Sequence, residues 1–139
     1  MPFWKKPSES ADWLANVAFF EGFDSADLSR VLVLSTEIEE PAGTLLLDQG
    51  DTGQECFVIV EGSANVFIAG EHVATVGAGS MLGEMSLVDH RPRTAAVVSE
   101  TPLMLLRFDS QQFKRLLSEM PKAEERVLAL LQARLQQNR

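Results

Sequence analysis

At 139 residues, with 45% hydrophobic and 23% charged side chains, the chain is long enough for one domain with its own core, and its composition is that of an ordinary soluble globular protein. Its formal net charge of −8 excludes the basic footprint that non-specific nucleic-acid binding requires, so no direct DNA binding is expected. No apolar run approaches the ~20 residues of a membrane span, no apolar signal segment follows Lys5 and Lys6, and the one cysteine, Cys56, excludes an internal disulfide framework and suits the reducing cytoplasm.

Residues 1–10 read as a flexible leader, with Pro2, Pro7, Ser8 and Ser10 and no period, and residues 11–139 as a single domain. Ser10 is placed to cap a helix over residues 11–20, where Trp13, Leu14, Val17 and Ala18 make one apolar stripe. Gly22 ends it, and Ser25 is the expected cap of a second helix over residues 26–34. From Thr36 the pattern turns to short strand-like runs separated by turn residues. Residues 36–40 alternate, Pro41-Ala42-Gly43 turns the chain, and residues 44–48 run to the Gly50-Asp51 turn. Residues 56–60 are continuously apolar, as in a strand buried on both faces. Residues 64–68 and 72–76 flank a tight hairpin at Ala69-Gly70-Glu71, and residues 94–99 and 103–108 complete the series. Helical pattern then returns over residues 111–118, with Asp109 or Ser110 as the cap. A last helix over residues 121–137 begins at Pro121, which suits a first helical position. The fold class is therefore α+β and mainly β: an antiparallel β-roll or jelly roll over residues 36–108, with helices before it at 11–34 and after it at 109–137.

Residues 79–97 interrupt the strand series and gather its chemistry. Gly79 and Gly83 open the stretch, Glu84 precedes Arg93 by nine positions, and an apolar strand follows. A carboxylate accepts from paired sugar hydroxyls, and a guanidinium offers phosphate oxygens a planar fork of donors. Glycines let backbone N–H groups approach an anion closely. The surroundings sharpen this: residues 1–108 carry 6 Lys/Arg against 16 Asp/Glu, so His90, Arg91 and Arg93 form a local positive spot. A solvated β-turn carrying a surface Glu–Arg pair is the plainer alternative.

Gly83-Glu84-Met85-Ser86-Leu87 and Pro92-Arg93-Thr94-Ala95 closely resemble the phosphate-binding cassette of the cyclic nucleotide-binding domain family, whose pattern is G-E-x-x-L, a short spacer and P-R-[TSA]-A. The resemblance extends over about residues 12–137, with Gly43, Gly50-Asp51 and Val60-Glu61-Gly62 as further echoes. It implies a double-stranded β-helix type of roll that holds a 3′,5′-cyclic nucleotide. Glu84 would accept from the ribose 2′-hydroxyl and Arg93 would pair with the cyclic phosphate. Backbone N–H groups of Gly83, Glu84, Ser86, Thr94 and Ala95 would complete the cradle, with Met85 inside it. Val66, Ala74 and Val76 are the candidate wall for the base, or alternatively plain core residues. Thr94 is compatible with either purine, and cyclic AMP (cAMP) is favoured over cyclic GMP, the chain having no tyrosine and no clear aromatic stack. The last helix is the candidate lid, through Leu128, Leu131, Arg134 or Leu135, or else a surface for self-association. No cofactor is implied, and the downstream partner is an unspecified effector protein.

Other classes fit less well. A cupin-like metal enzyme needs clustered His and Glu ligands, whereas His72 and His90 stand apart with no His-x-His, so no catalytic or metal site is expected. The bacterial relatives that are transcription factors continue into a helix-turn-helix domain, for which Arg139 leaves no room; a stand-alone sensor or an excised regulatory domain is expected instead. A degenerate roll that docks proteins without nucleotide is the remaining alternative.

Overall fold

A computed structural model describes residues 20–83 and 92–137, the backbone alone at residues 130, 131 and 134–137. The expected first helix, over residues 11–20, lies outside these apart from Phe20. Helix α1 spans Ser25–Leu34. Its cap is Asp24 rather than Ser25: the Asp24 carboxylate accepts from the Asp27 N–H at 2.8 Å, and the Asp27 carboxylate accepts from the Asp24 N–H at 3.2 Å. That reciprocal box satisfies two end donors at once, and an anion there also suits the helix dipole.

Eight strands follow: β1 Thr36–Glu40, β2 Leu45–Leu47, β3 Glu55–Glu61, β4 Ala64–Ile68, β5 Glu71–Val76, β6 Met81–Leu82, β7 Ala96–Ser99 and β8 Leu103–Asp109. They form two four-stranded antiparallel sheets, ordered β1-β8-β3-β6 and β2-β7-β4-β5. Helix α2, Ser110–Glu119, takes Asp109 as its cap, again in a reciprocal box with Gln112, and α3 spans Pro121–Gln137. The fold is the expected β-roll, mainly β, with helices on both sides of it in sequence. Only β6 is new: two residues inside the glycine-rich stretch pair with β3.

Strand β3 explains the layering. Phe57 and Ile59 join Leu47, Ala64, Leu82, Val97, Leu103 and Leu105 in the interior of the roll. Cys56 and Val58 face the other way, into a cluster with Leu106, Phe108, α1 and the C-terminal helices. An apolar residue at every position is what a strand buried on both faces requires. Cys56, fully buried, serves there as a small core side chain.

The outer cluster gathers α1, α2 and, through Ala123 and Val127, the start of α3, and charges fasten its rim. Lys122 Nζ lies 3.1 Å from the Asp27 carboxylate and 3.3 Å from the Gly22 carbonyl, and Arg126 donates to the Glu21 carbonyl at 2.7 Å. Arg30 of α1 pairs with Glu119 at the end of α2. The Lys122 hydrogen bond holds the Asp27 carboxyl below its usual range, and Arg30 does the same for Glu119. A carboxylate with a lowered folded-state pKa stabilises the fold above its ordinary value and ceases to do so as the pH falls through the folded value. Lys122→Met is therefore expected to lower stability to urea at pH 7, with a penalty that shrinks below Asp27's ordinary value of 3.8. Urea titrations of both proteins at pH 7, 5 and 3 measure this, and an undiminished penalty at pH 3 would assign the loss to packing instead.

Candidate functional site

The site is built around Arg93, where the chain passes from β6 of one sheet to β7 of the other. Pairing of Phe57 with Leu82 brings the end of β6 alongside the start of β3, which puts Gly83 next to Glu55. Arg93 donates from Nη2 to the Glu55 carbonyl at 2.8 Å. Its main chain is held as firmly: its N–H donates to the Asp51 carbonyl at 2.7 Å, and its carbonyl accepts from the Gly50 N–H at 2.9 Å.

Two glycines make room for the side chain. A Cβ on Gly53 would overlap the guanidinium, and one on Gly83 would collide with its Nη1 and come within 3.1 Å of the Glu55 carbonyl. Gly83 also has φ +86°, a backbone conformation that L side chains rarely adopt. The guanidinium is thus half-buried in a slot with glycine on both sides. Partial removal from water strengthens its attraction for an anion, because the effective dielectric falls. The Glu55 carboxylate turns instead to Arg107 of β8, 3.3 Å from Nε, which keeps one acid of this neighbourhood engaged with a different base.

The three expected wall residues lie on one face of the β4–β5 hairpin. Val66 is opposite Ala74 and Ala64 is opposite Val76, and directly opposed residues project to the same side of a sheet. Ala64 belongs to the roll interior, and Val66 and Val76 pack against it half-buried. Ala74 is exposed although it shares that face, so it is not a core residue. The hairpin therefore offers a short apolar ledge that runs from the interior to the solvent. Thr94 is exposed and Ala95 half-buried, just ahead of β7. Glu84, Met85, Ser86, His90 and Arg91 lie outside the described residues. His72 is exposed on β5, its Nε2 3.0 Å from Thr75 Oγ1 and its ring against Phe67, as expected of a surface histidine. Of the lid candidates, Val127's neighbour Leu128 is about half exposed, and the side chains of Leu131, Arg134 and Leu135 lie outside the described set. Among the described residues, no group of His, Cys, Asp and Glu could hold a metal ion, and no helix is long and apolar enough to cross a membrane.

Sequence reasoning missed the residues that seat Arg93. Gly53 falls in the turn that follows residues 44–48, and Glu55 lies just ahead of the strand expected over residues 56–60. A main-chain carbonyl leaves no mark in a sequence, and the Gly50-Asp51-x-Gly53 spacing was the one available signal.

This geometry agrees with what comparison finds. The model of the cyclic nucleotide-binding domain matches residues 37–120, and the chain belongs to that family. It is 32% identical to the cAMP-dependent protein kinase type II regulatory subunit of Drosophila melanogaster over 102 residues, 73% of this chain and 27% of that protein. It is also 32% identical to a cyclic nucleotide-gated potassium channel of Rhizobium etli over 114 residues, 82% of this chain and 32% of the channel. The chain thus spans about a third or less of these two relatives. Among solved structures it resembles the catabolite activator protein of Thermus thermophilus with a TM-score of 0.79 and 27% identity, covering 87% of this chain and 59% of that one. The fold is that of a regulatory nucleotide-binding domain, not of a catalytic one.

The glycine slot makes a specific demand. Because the atoms that a Cβ on Gly53 would meet are the far end of a flexible side chain, Gly53→Ala is expected to cost less than about 1 kcal/mol in stability while expelling the guanidinium from its seat. Urea unfolding and the Arg93 Nε–H resonance report the two effects separately. An unshifted resonance would mean that the slot accommodates a methyl group.

Proposed function

We propose that the chain binds a 3′,5′-cyclic nucleotide in the roll, cAMP in preference to cyclic GMP, and reports its presence through the C-terminal helix. The observation that carries this reading is the seating of Arg93 between Gly53 and Gly83, a place for one phosphate group, in the same small domain as a hairpin whose apolar ledge could hold a flat base. In this reading Arg93 takes the cyclic phosphate and Glu84 accepts from the ribose 2′-hydroxyl. The N–H groups of Gly83, Glu84, Ser86, Thr94 and Ala95 complete the cradle around Met85. Val66, Ala74 and Val76 support the base, and the exposure of Ala74 supports that role over a purely structural one.

The relay would be a population shift. If the nucleotide has a higher affinity for the arrangement in which α3 covers the roll, its binding raises the share of that arrangement by the difference in affinity and no more. The output is an effector protein, or a second copy that meets the half-exposed Leu128 face of α3. The protein is taken to work in the cytoplasm, where cyclic nucleotides are made and read.

Calorimetric titration with cAMP and cyclic GMP, beside Arg93→Ala, tests the reading. Tight binding of cAMP is expected. The variant should lose ten- to several-hundred-fold in affinity, about 1.4–3.5 kcal/mol, because a charge-assisted pair in a partly dry slot is removed. Absence of heat and of any thermal shift with both nucleotides would sink it, and would favour a roll that docks proteins without nucleotide.

A further inference from the structure

The residues from Gln49 to Glu55 form a collar about Arg93. Gly50 donates to its carbonyl, Asp51 accepts from its N–H, Gly53 clears its guanidinium and Glu55 accepts from its Nη2. Gln49 begins this collar, and its side chain points away from it. Gln49 Oε1 accepts from the Ala69 N–H at 2.9 Å, at the tip of the β4–β5 hairpin. Ala69 has φ 52° and Gly70 has φ 82°, so both central residues of this two-residue loop are left-handed, as the turn type that suits the strand twist requires. In such a loop the first N–H takes no part in the ladder and is left to solvent or to a partner from elsewhere. Gln49 provides it. The non-glycine residue with positive φ among those described is Ala69, a conformation costing on the order of 1 kcal/mol or more that persists where the surroundings fix it.

We infer that Gln49 is a positioning residue that joins the base-wall hairpin to the phosphate-binding arginine. One side chain clamps the hairpin tip, and the next two peptide groups hold the main chain of Arg93. The ledge and the guanidinium belong to different stretches of chain, and their separation must be fixed for one rigid ligand to meet both. The clamp fixes it without touching the ligand. The inference rests on the cyclic nucleotide reading for its purpose, but its physical content, the mechanical coupling, exists without nucleotide.

Residue-resolved amide exchange on the unliganded protein therefore comes first. Gln49→Met keeps the length of the side chain and removes the acceptor, and Gln49→Glu keeps an acceptor. Gln49→Met is expected to speed exchange about tenfold at Ala69, and also at Gly50 and Arg93, whose N–H groups are bonded within the collar; Gln49→Glu restores slow exchange at all three. Acceleration confined to Ala69 would overturn the coupling whether or not the protein takes a nucleotide. In the wild-type protein and the Met variant, cAMP titration then reads the consequence: a three- to tenfold loss of affinity, with the thermal midpoint moved by no more than about 2 °C. Unchanged affinity beside normal wild-type binding would overturn the positioning role and leave the nucleotide reading standing. A wild-type protein that binds neither nucleotide would overturn that reading, and the exchange result would still decide the coupling.

Discussion

The structure depends on holding one guanidinium partly out of water at a fixed place between two glycines. The chain uses a peptide carbonyl, that of Glu55, and sends the carboxylate of the same residue to Arg107. A carbonyl orients the planar group through a directed hydrogen bond. The requirement then spreads. The carbonyl must sit at the start of β3, Gly83 must arrive beside it on β6, and the Asp51–Gly53 loop must close from the other side. Two sheets and a crossing between them are what bring those pieces of chain to one point.

The same arrangement divides the core. Strands β3 and β8 are buried on both faces, with the roll interior on one side and the helices on the other. α1, α2 and the start of α3 are packed as one body against the outer side, and their rim is tied by Lys122, Arg126 and Arg30. Among the described residues, the short strand β6 also joins the two clusters, with Met81 in the outer one and Leu82 in the interior. A close-packed core does not deform gradually, so in the proposed relay occupancy of the roll would act on the helices by repacking those strands or by drawing the far end of α3 across the mouth of the roll. The second path would leave intact the outer cluster, in which Ala123 and Val127 hold the first two turns of α3.

Much of this was legible in the residues, for identifiable reasons. Alternation and turn chemistry gave most of the strands, because most have buried residues and most turns carry a left-handed residue such as Gly43 or Gly62. Asp109 and Pro121 marked helix starts by chemistry that acts within four residues. Ser25 misled for the same local reason: Asp24 and Ser25 are both good caps, and the returning carboxylate of Asp27 decides between them. The cassette was legible as a family pattern because it is written in residue types at fixed spacing. What stayed hidden were β6, too short to show a period, and the seat of Arg93, which is made of glycines and a carbonyl brought from distant positions. The first helix and the Glu84–Ser86 arm of the cassette lie outside the described residues, and the readings made there remain expectations.

The acidity of the chain bears on which anion such a seat would accept. Residues 1–108 carry a net charge of −10, yet the candidate ligand is itself negative. At physiological ionic strength charges more than about 8 Å away are largely screened, so the distant acids matter little and the nearby ones matter most. A phosphate monoester carries close to two charges at neutral pH, whereas a cyclic phosphate diester carries one. The acidic background and the attraction of a nearby guanidinium both scale with that charge, so what separates the two anions is the cost of leaving water, which is larger for the dianion. In the proposed reading a partly dry seat would therefore favour the ring-closed phosphate over the product of its hydrolysis. A second cation beside Arg93 would erode that preference by offsetting the larger cost, and among the described residues Arg107 is engaged with Glu55.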